Sequence, residues 1–373
     1  MTTLTAGSST VLTASVKGAL FVVAVNGGGI VTVSGAANES LGPLAVRRTF
    51  GPFEIGQTIT VVVQSGEAQV DYGDADPGNT GGVQGGQSPV SGGAFTPGGR
   101  LTTESGVSVS TSDRTAQSTL YYTPHTHDGI MLWDGAKWAA TTFAETSLAL
   151  SGLTSGKPYD VFGYLSGGGS LALELLAWTD NTTRANAVTV QSGRFCKSGD
   201  QTRLLLGTIY TTGATTTEDS AAKRFVCNVF NSVQRKLAMP LTGVTWAYLV
   251  AAWRSANADN ANRVQVVSSL PGRTKLFIQL FAGVNSGASG NFAYVGIGKN
   301  TTTARTDDGN SRSGANGSNV STVLSAVLSD CPAAGLNYYQ AVEFSEIVSG
   351  AITFFGNFGD GRLSTGLVGE VTA

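Results

Sequence analysis

Short runs of alternating apolar and polar residues, divided by glycine-rich turns, recur along the whole chain. Ser9–Ser15, Ala19–Val25, Ile30–Ser34 and Thr58–Gln64 are rich in Val, Thr and Ile and read as strands. Asn26-Gly27-Gly28-Gly29 reads as a turn between two of them, because glycine enters positive φ without steric cost. Further on, Tyr159–Leu165 and Leu171–Trp178 flank a Ser-Gly-Gly-Gly-Ser loop as a hairpin, with Leu171, Leu173 and Leu175 on one face. Leu204–Tyr210, Val264–Ser268, Lys275–Phe281 and Phe292–Ile297 continue the pattern. Asp134-Gly135 reads as the turn between Ile130–Trp133 and Lys137–Thr141, and Gly309–Ser321 as a polar surface loop.

One segment departs from this period. Phe225, Val226, Val229, Phe230 and Val233 recur at helical spacing behind the cap candidates Thr217, Glu218 and Asp219, so the pattern predicts one short helix over residues 219–235. Asp113, Arg114, Glu218, Asp219, Lys223 and Arg224 read as caps and surface pairs of small individual worth.

Composition sharpens this into an all-β expectation. The 373 residues include 50 glycines, close to twice the ~7% of an average protein, while charged residues make up 13% against roughly 25%. At 41% hydrophobic the chain has enough apolar material for a sizeable core, which excludes disorder throughout, and the glycines lack the three-residue period of collagen. Residues 1–72 form a small β-sandwich whose limited core calls for partners or copies of itself. Residues 73–99, poor in apolar side chains and punctuated by Gly and Pro, read as a flexible linker. Residues 100–373 form a larger β-sandwich or jelly-roll-like body, with a subdivision near residue 236.

Net charge of −2 gives no general pull toward nucleic acid or anionic membranes. No apolar run approaches the ~18 residues of a membrane span, and MTTLTAGSSTVLTA lacks the basic flank and apolar core of a secretory leader. Cys196, Cys227 and Cys331 are far apart and odd in number, so they read as buried reduced thiols rather than a disulfide or zinc framework.

Ordered blocks then carry a resemblance. They are Gly99–Asp113, Leu120-Tyr-Tyr-Thr-Pro124, Leu132-Trp-Asp-Gly135 with Trp138, Phe143–Gly156, Tyr159-Asp-Val-Phe162, Ala177-Trp-Thr-Asp180, Thr183-Arg-Ala185 and Thr215–Phe225. Trp246, Trp253–Asn257 and Ala261–Val264 continue the series. Together, over roughly residues 99–300, they resemble a recurring structural domain of tailed-bacteriophage and prophage virion proteins, found in fibre-like tail gene products. The resemblance implies a trimeric virion fibre or spike built of β-sandwich modules, assembled in the host cytoplasm. Residues 1–72 would bind other virion proteins, of capsid or tail, and the body would touch a host-surface glycan or protein. Burial between subunits would offset the small first core, and repeated copies would add avidity.

The candidate chemistry is sparse. His125 and His127 stand two apart, a spacing that on a strand turns both imidazoles to one side. On a three-fold axis the pair from each chain supplies an octahedral set for Fe or Ni. That axial metal site is implied by the resemblance to phage fibres, and the competing reading is a partly exposed loop pair that binds nothing. Tyr121, Tyr122, Trp133 and Trp138 lie close in sequence and serve either as a sugar-stacking surface or as core.

Glycoside hydrolysis needs two facing carboxylates. Asp128, Asp134, Glu145 and Asp180 are available, but no spacing singles out a pair. No Ser-His-Asp context and no phosphate-binding glycine loop stands between strand and helix. The expectation is therefore a non-enzymatic adhesin, a tail fibre or receptor-binding protein that needs no cofactor. A head fibre or capsid decoration protein is the alternative. A polysaccharide depolymerase is the third reading, weakened by the lack of long repeating β-helix rungs.

Overall fold

The computed structural model describes residues 2–5, 9–13, 18–33, 39–40, 47–53, 58–74, 96–314, 320–358 and 365–373. Two compact units divide the chain, Met1–Val90 and Ser91–Ala373. The expected all-β class is what the structure shows: among the described residues the one helical element is a single 3-10 turn, Ala256–Ala258.

In the first unit, the antiparallel strands Gly18–Val33 and Thr58–Asp74 form the spine of a six-stranded sheet. Thr2–Thr5 and Ser9–Thr13 share one edge of Thr58–Asp74, while Glu39–Ser40 and Arg47–Phe53 share the outer edge of Gly18–Val33. In its pairing, the expected sandwich is thus one continuous sheet. The glycine run corrects another expectation, since Asn26–Gly29 lies inside one long strand. There the register passes from Val25 opposite Glu67 to Ile30 opposite Ser65, so the extra residues form a bulge. Glycine suits a bulge for the same steric reason that it suits a turn, and its presence alone does not choose between them. Of the expected linker 73–99, Gly73 and Asp74 close the first unit's last strand and Gly99 opens the strand Gly99–Thr102; residues 75–95 lie outside the described residues.

Inside the second unit, one core gathers Leu101, Leu120 and Tyr122 with Ile130, Leu132, Val161, Leu173, Leu204 and Ile209. These come from the three-stranded sheet of Thr146–Ala149, Thr119–Pro124 and Gly99–Thr102, the hairpin Gly129–Trp133/Trp138–Thr142, and one end of a fourteen-stranded sheet. A second core lies between the other end of that sheet and a seven-stranded sheet. Val264, Val266, Val295, Ile297 and Ala341 face Leu237, Ile278, Leu280, Leu324, Leu328 and Leu367 across it. Alternate residues of Leu276–Asn285 and Ser321–Asp330 point inward, as period-two strands covering a core require.

The helix expected over 219–235 does not form. Thr216–Asp219, Lys223–Arg224, Val226–Asn228 and Gln234–Pro240 are strands, and Val226–Asn228 pairs with Asp200–Gly213. The apolar residues that mimicked a helical stripe serve separate sites: Val226 enters the first core, Val229 packs with Phe162, Leu205 and Leu270, and Phe225 lies against Tyr210. β-branched residues favour this extended arrangement. Asp219 and Arg224 are no surface pair either. Both are buried, and Asp219 meets Arg224 at 3.0 Å and Arg235 at 3.1 Å.

Gly309–Ser321 likewise contains strand, Gly309–Asn310 and Arg312–Gly314. Cys196 and Cys227 are buried as expected, and burial pushes the Cys196 thiol up to about 11, but Cys331 is exposed.

Candidate functional site

The sequence-derived aromatic set separates into core and surface. Alternation along Thr119–Pro124 sends Tyr122 inward, where it is buried against Phe143 with ring centroids 5.0 Å apart. Burial raises its phenol above the ordinary range. It is core, not binding surface. Tyr121, its neighbour on the opposite face, is half-buried.

Trp133 and Trp138 do come together. They are directly opposed at the last rung of the hairpin Gly129–Trp133/Trp138–Thr142, both half-buried, with rings edge to face at 5.8 Å. The Arg194 guanidinium lies 5.0 Å from the Trp138 ring. Trp138 Nε1 is buried and finds no hydrogen-bond partner among the described residues.

The turn that closes this hairpin explains why the indoles meet. Asp134 Oδ1 accepts from the backbone N–H of Ala136 at 2.9 Å and of Lys137 at 2.8 Å, while Asp134 N donates to the Lys137 carbonyl. Gly135 supplies φ +104°, which a side chain would resist. These hydrogen bonds, that from Lys137 first, hold the Asp134 carboxyl below its usual range.

The other carboxylate candidates are likewise engaged locally. Asp180 accepts from Thr182 N, Thr182 Oγ1 and Thr183 N within its own turn, and the hydrogen bonds of Thr182 lead in lowering its carboxyl. Burial alone would raise Glu145. The hydrogen bonds from Ser105 Oγ, Thr123 Oγ1 and Gly106 N, each 2.6 Å, together outweigh it and leave the carboxyl low. Asp128 is exposed beyond the end of the strand Thr119–Pro124. A general acid needs a carboxyl held high, and Asp134, Glu145 and Asp180 are held low.

The histidines do not occupy a strand. The strand ends at Pro124, and His125–Asp128 is an exposed loop tied down where His125 N and Thr126 N both donate to the Gly98 carbonyl. His125 Nδ1 lies 2.9 Å from Ser108 Oγ, and His127 Nδ1 accepts from Gly129 N at 3.0 Å. Burial, then Arg100, lowers the His125 pKa. The strand geometry that would aim both rings at one metal is therefore missing, and each Nδ1 is committed to the protein. Among the described residues no group of three or more His, Cys, Asp or Glu is placed to hold a metal. The residues present do not fit an Fe or Ni centre within one chain.

Two features escaped the sequence reading. Glu343 is 1% exposed, accepting from Trp246 Nε1 at 2.7 Å and Arg254 Nε at 2.8 Å, while Arg254 lies over Tyr248 at 3.7 Å. Desolvation outweighs those partners and pushes its carboxyl up to about 7. The available signal was parity, since Glu343 shares the inward phase of Tyr339 and Ala341 on Gly335–Glu346.

The second is an end of the seven-stranded sheet, where the loops 249–253 and 347–351 leave adjacent strands and 286–291 is tied to 347–351; none of the three carries a charged residue. Wholly buried Asn291 joins the latter two: Nδ2 donates to the carbonyls of Ser286 (2.9 Å) and Ser349 (2.6 Å), and Oδ1 accepts from Val348 N and Ser349 N. Beside this end, Gly283 leaves a shallow groove of about 360 Å³ between Val323, Phe355 and Phe358. No local sequence pattern distinguishes Asn291 from a loop asparagine.

Comparison with known proteins adds little to this geometry. No known family matches the chain, and no curated protein matches it. Among solved structures, the crystal structure of a Bacillus thuringiensis Cry1Da tryptic core variant aligns with 65% of this chain at 9% identity and a TM-score of 0.15. The chain spans about half of that structure, 48% of its length, and a likeness this slight carries no argument about fold or function.

Proposed function

We propose that this chain is a bacteriophage virion structural protein, a homotrimeric fibre or adhesin that attaches the particle to the host surface without covalent chemistry. Residues 1–72 bind other virion proteins, residues 73–99 give reach, and the body from residue 100 onward makes the contact. The observation that carries the reading is the ordered series of blocks from Gly99 to Val264 that resemble phage fibre domains. Those blocks belong to a single compact unit. Their Leu132-Trp-Asp-Gly135 segment makes the hairpin that sets Trp133 against Trp138. Two half-buried indoles beside Arg194 suit stacking on a sugar ring or an apolar protein patch. The carboxylates of Asp134, Glu145 and Asp180 are engaged in turns and loops, which favours adhesion over hydrolysis.

Gold-labelled antibody against the recombinant protein tests the placement on phage particles. Label at the tail supports the fibre reading, label over the capsid replaces it with a head-fibre or decoration role, and unlabelled particles overturn both. Adsorption is the functional arm. Recombinant protein is expected to compete with particles for cells, and Trp133→Ala protein to compete at least tenfold less well. Equal competition would remove the indole pair from the contact, and release of reducing sugar ends from host capsule would overturn the non-enzymatic reading.

A further inference from the structure

Two tight turns fix a cation beside the indole pair. The hairpin Val188–Gln191/Arg194–Lys197 turns through Ser192 and Gly193, at φ +51° and +76°, the positive values that a two-residue loop between antiparallel strands demands. That turn sets Arg194 opposite Gln191, as the Asp134-Gly135 turn sets Trp138 opposite Trp133. Trp138 thereby holds Trp133 at 5.8 Å on one side and the half-buried Arg194 guanidinium at 5.0 Å on another. Across the two hairpins stand three cations, Lys137, Arg194 and Lys197, and one carboxylate, Asp134. Lys137 balances Asp134 within their shared turn, and Lys197 reaches Glu174 at 3.8 Å. Arg194 is left as the cation of this pair of hairpins with no carboxylate in reach among the described residues. Its Nη1 donates to the Ser192 carbonyl at 3.1 Å, and its other N–H groups are unspent among those residues.

Charge complementarity selects the occupant. A guanidinium with free N–H groups and no counter-ion is matched by a carboxylate, which it binds more strongly and more directionally than a neutral acceptor. Trp138 packs on the first core and lies beneath Arg194, which leaves Trp133 as the indole available to an apolar surface. A uronic acid carries both complements on one rigid pyranose, a C–H face that stacks on an indole and a carboxylate at the ring's edge. Ligand and turns are both preorganised, so binding orders little. A neutral sugar would leave the guanidinium unpaired, and an acidic peptide would have to order a separate apolar side chain over the indole. We infer that the indole pair and Arg194 form one binding site for an acidic saccharide, its ring on Trp133 and its carboxylate on Arg194. The inference rests on the indole contact of the proposed function and adds the chemical class of its ligand.

Calorimetric titration of the full chain with galacturonate, glucuronate, mannuronate and guluronate oligomers, each beside its neutral methyl ester, is the test. At least one acid is expected to bind, and its ester to bind at least tenfold more weakly. Arg194→Gln is expected to lose the same factor for the acid and nothing for the ester, while Arg194→Lys, which keeps the charge, recovers part of it. Raising salt from ~20 mM to ~500 mM is expected to weaken acid binding by the wild type and leave Arg194→Gln unmoved, a difference that a folding defect cannot produce. Equal binding of acid and ester, equal binding of poly-glutamate and the uronates, or no binding of any acid overturns the inference. Adsorption keeps the two readings apart. If Trp133→Ala protein competes poorly for cells while no uronate binds, the indole contact stands and the acidic sugar is wrong. If a uronate binds through Arg194 but Trp133→Ala competes like wild type, the saccharide site stands and the adhesive contact lies elsewhere.

Discussion

Two loop-bearing regions of the second unit are held in shape by opposite chemistry. At the Trp133–Trp138 hairpin an exposed carboxylate organises the turn, with Asp134 accepting from two backbone N–H groups. At the uncharged end a buried neutral amide does so, with Asn291 donating twice and accepting twice. Solvation accounts for the difference. A carboxylate in water keeps its hydration while it accepts, whereas the same charge inside the protein forfeits it. A buried site flanked by both carbonyls and N–H groups needs a side chain offering both donors and acceptors, and the primary amide is the neutral group that does.

The sharpest way to break this comparison is Asn291→Asp. The isosteric carboxylate faces the carbonyl oxygens of Ser286 and Ser349 with no proton to offer and buries a charge without a counter-ion. The expected loss is about 3–5 kcal/mol by urea denaturation at pH 7, the range for an uncompensated buried charge. Burial raises the new carboxyl's folded pKa, so the variant falls further behind wild type as pH rises from the unfolded value, ~3.9, through the folded one. A loss under about 1 kcal/mol, typical of one ordinary hydrogen bond, would show that the loops are held by other contacts.

Glu343 sharpens the comparison from the other side, as a buried acid on the strand Gly335–Glu346 that leads into the 347–351 loop. Its folded carboxyl stands at about 7 against an ordinary 4.5, so the native state binds the proton more tightly than the unfolded chain. The associated stability is complete below pH 4.5 and lost as pH rises through about 7. Glu343→Gln keeps an acceptor for Trp246 and Arg254 but cannot ionise. Its melting temperature is therefore expected to gain on wild type between pH 5 and pH 8 (assay values), by a free energy on the order of 2–3 kcal/mol. Parallel pH profiles for the two proteins would mean that Arg254 compensates the charge fully.

How far the sequence discloses these features depends on how local their causes are. The Asp134-Gly135 turn and the hairpin Pro158–Leu165/Leu171–Ala177 are legible because the residues that make them are neighbours. The segment around Phe225–Val233 is misleading because its apolar residues are divided among packing sites contributed by distant strands, and spacing alone cannot distinguish one stripe from several destinations. Asn26–Gly29 is ambiguous for a backbone reason, since a bulge and a turn make the same demand of glycine. Asn291 is illegible because its partners at 348–349 are brought to it only by the fold. The indole pair is the intermediate case: the residues are legible, but their separation from Tyr122 depends on which strand face meets the core.

The smallest expected effect completes the comparison. Asp134→Ala removes the acceptor for two exposed N–H groups that water can satisfy, so its melting temperature should shift by less than the fall in Asn291→Asp or the gain in Glu343→Gln. The Asp134 carboxyl lies below its ordinary value in the folded state, so its contribution is present above the unfolded pKa and fades as pH falls through the folded one. Wild type and Asp134→Ala should therefore converge in acid. Asp134→Asn retains an amide oxygen where Oδ1 stood, and the exposed NH₂ finds water, so it should track wild type closely at neutral pH. Exchanging Asp for Asn at the hairpin is then nearly silent, while exchanging Asn for Asp at position 291 is severe. If the two exchanges cost the same, solvation would not be what chose the side chain at each end, and the contrast drawn between the regions would have to rest on packing instead.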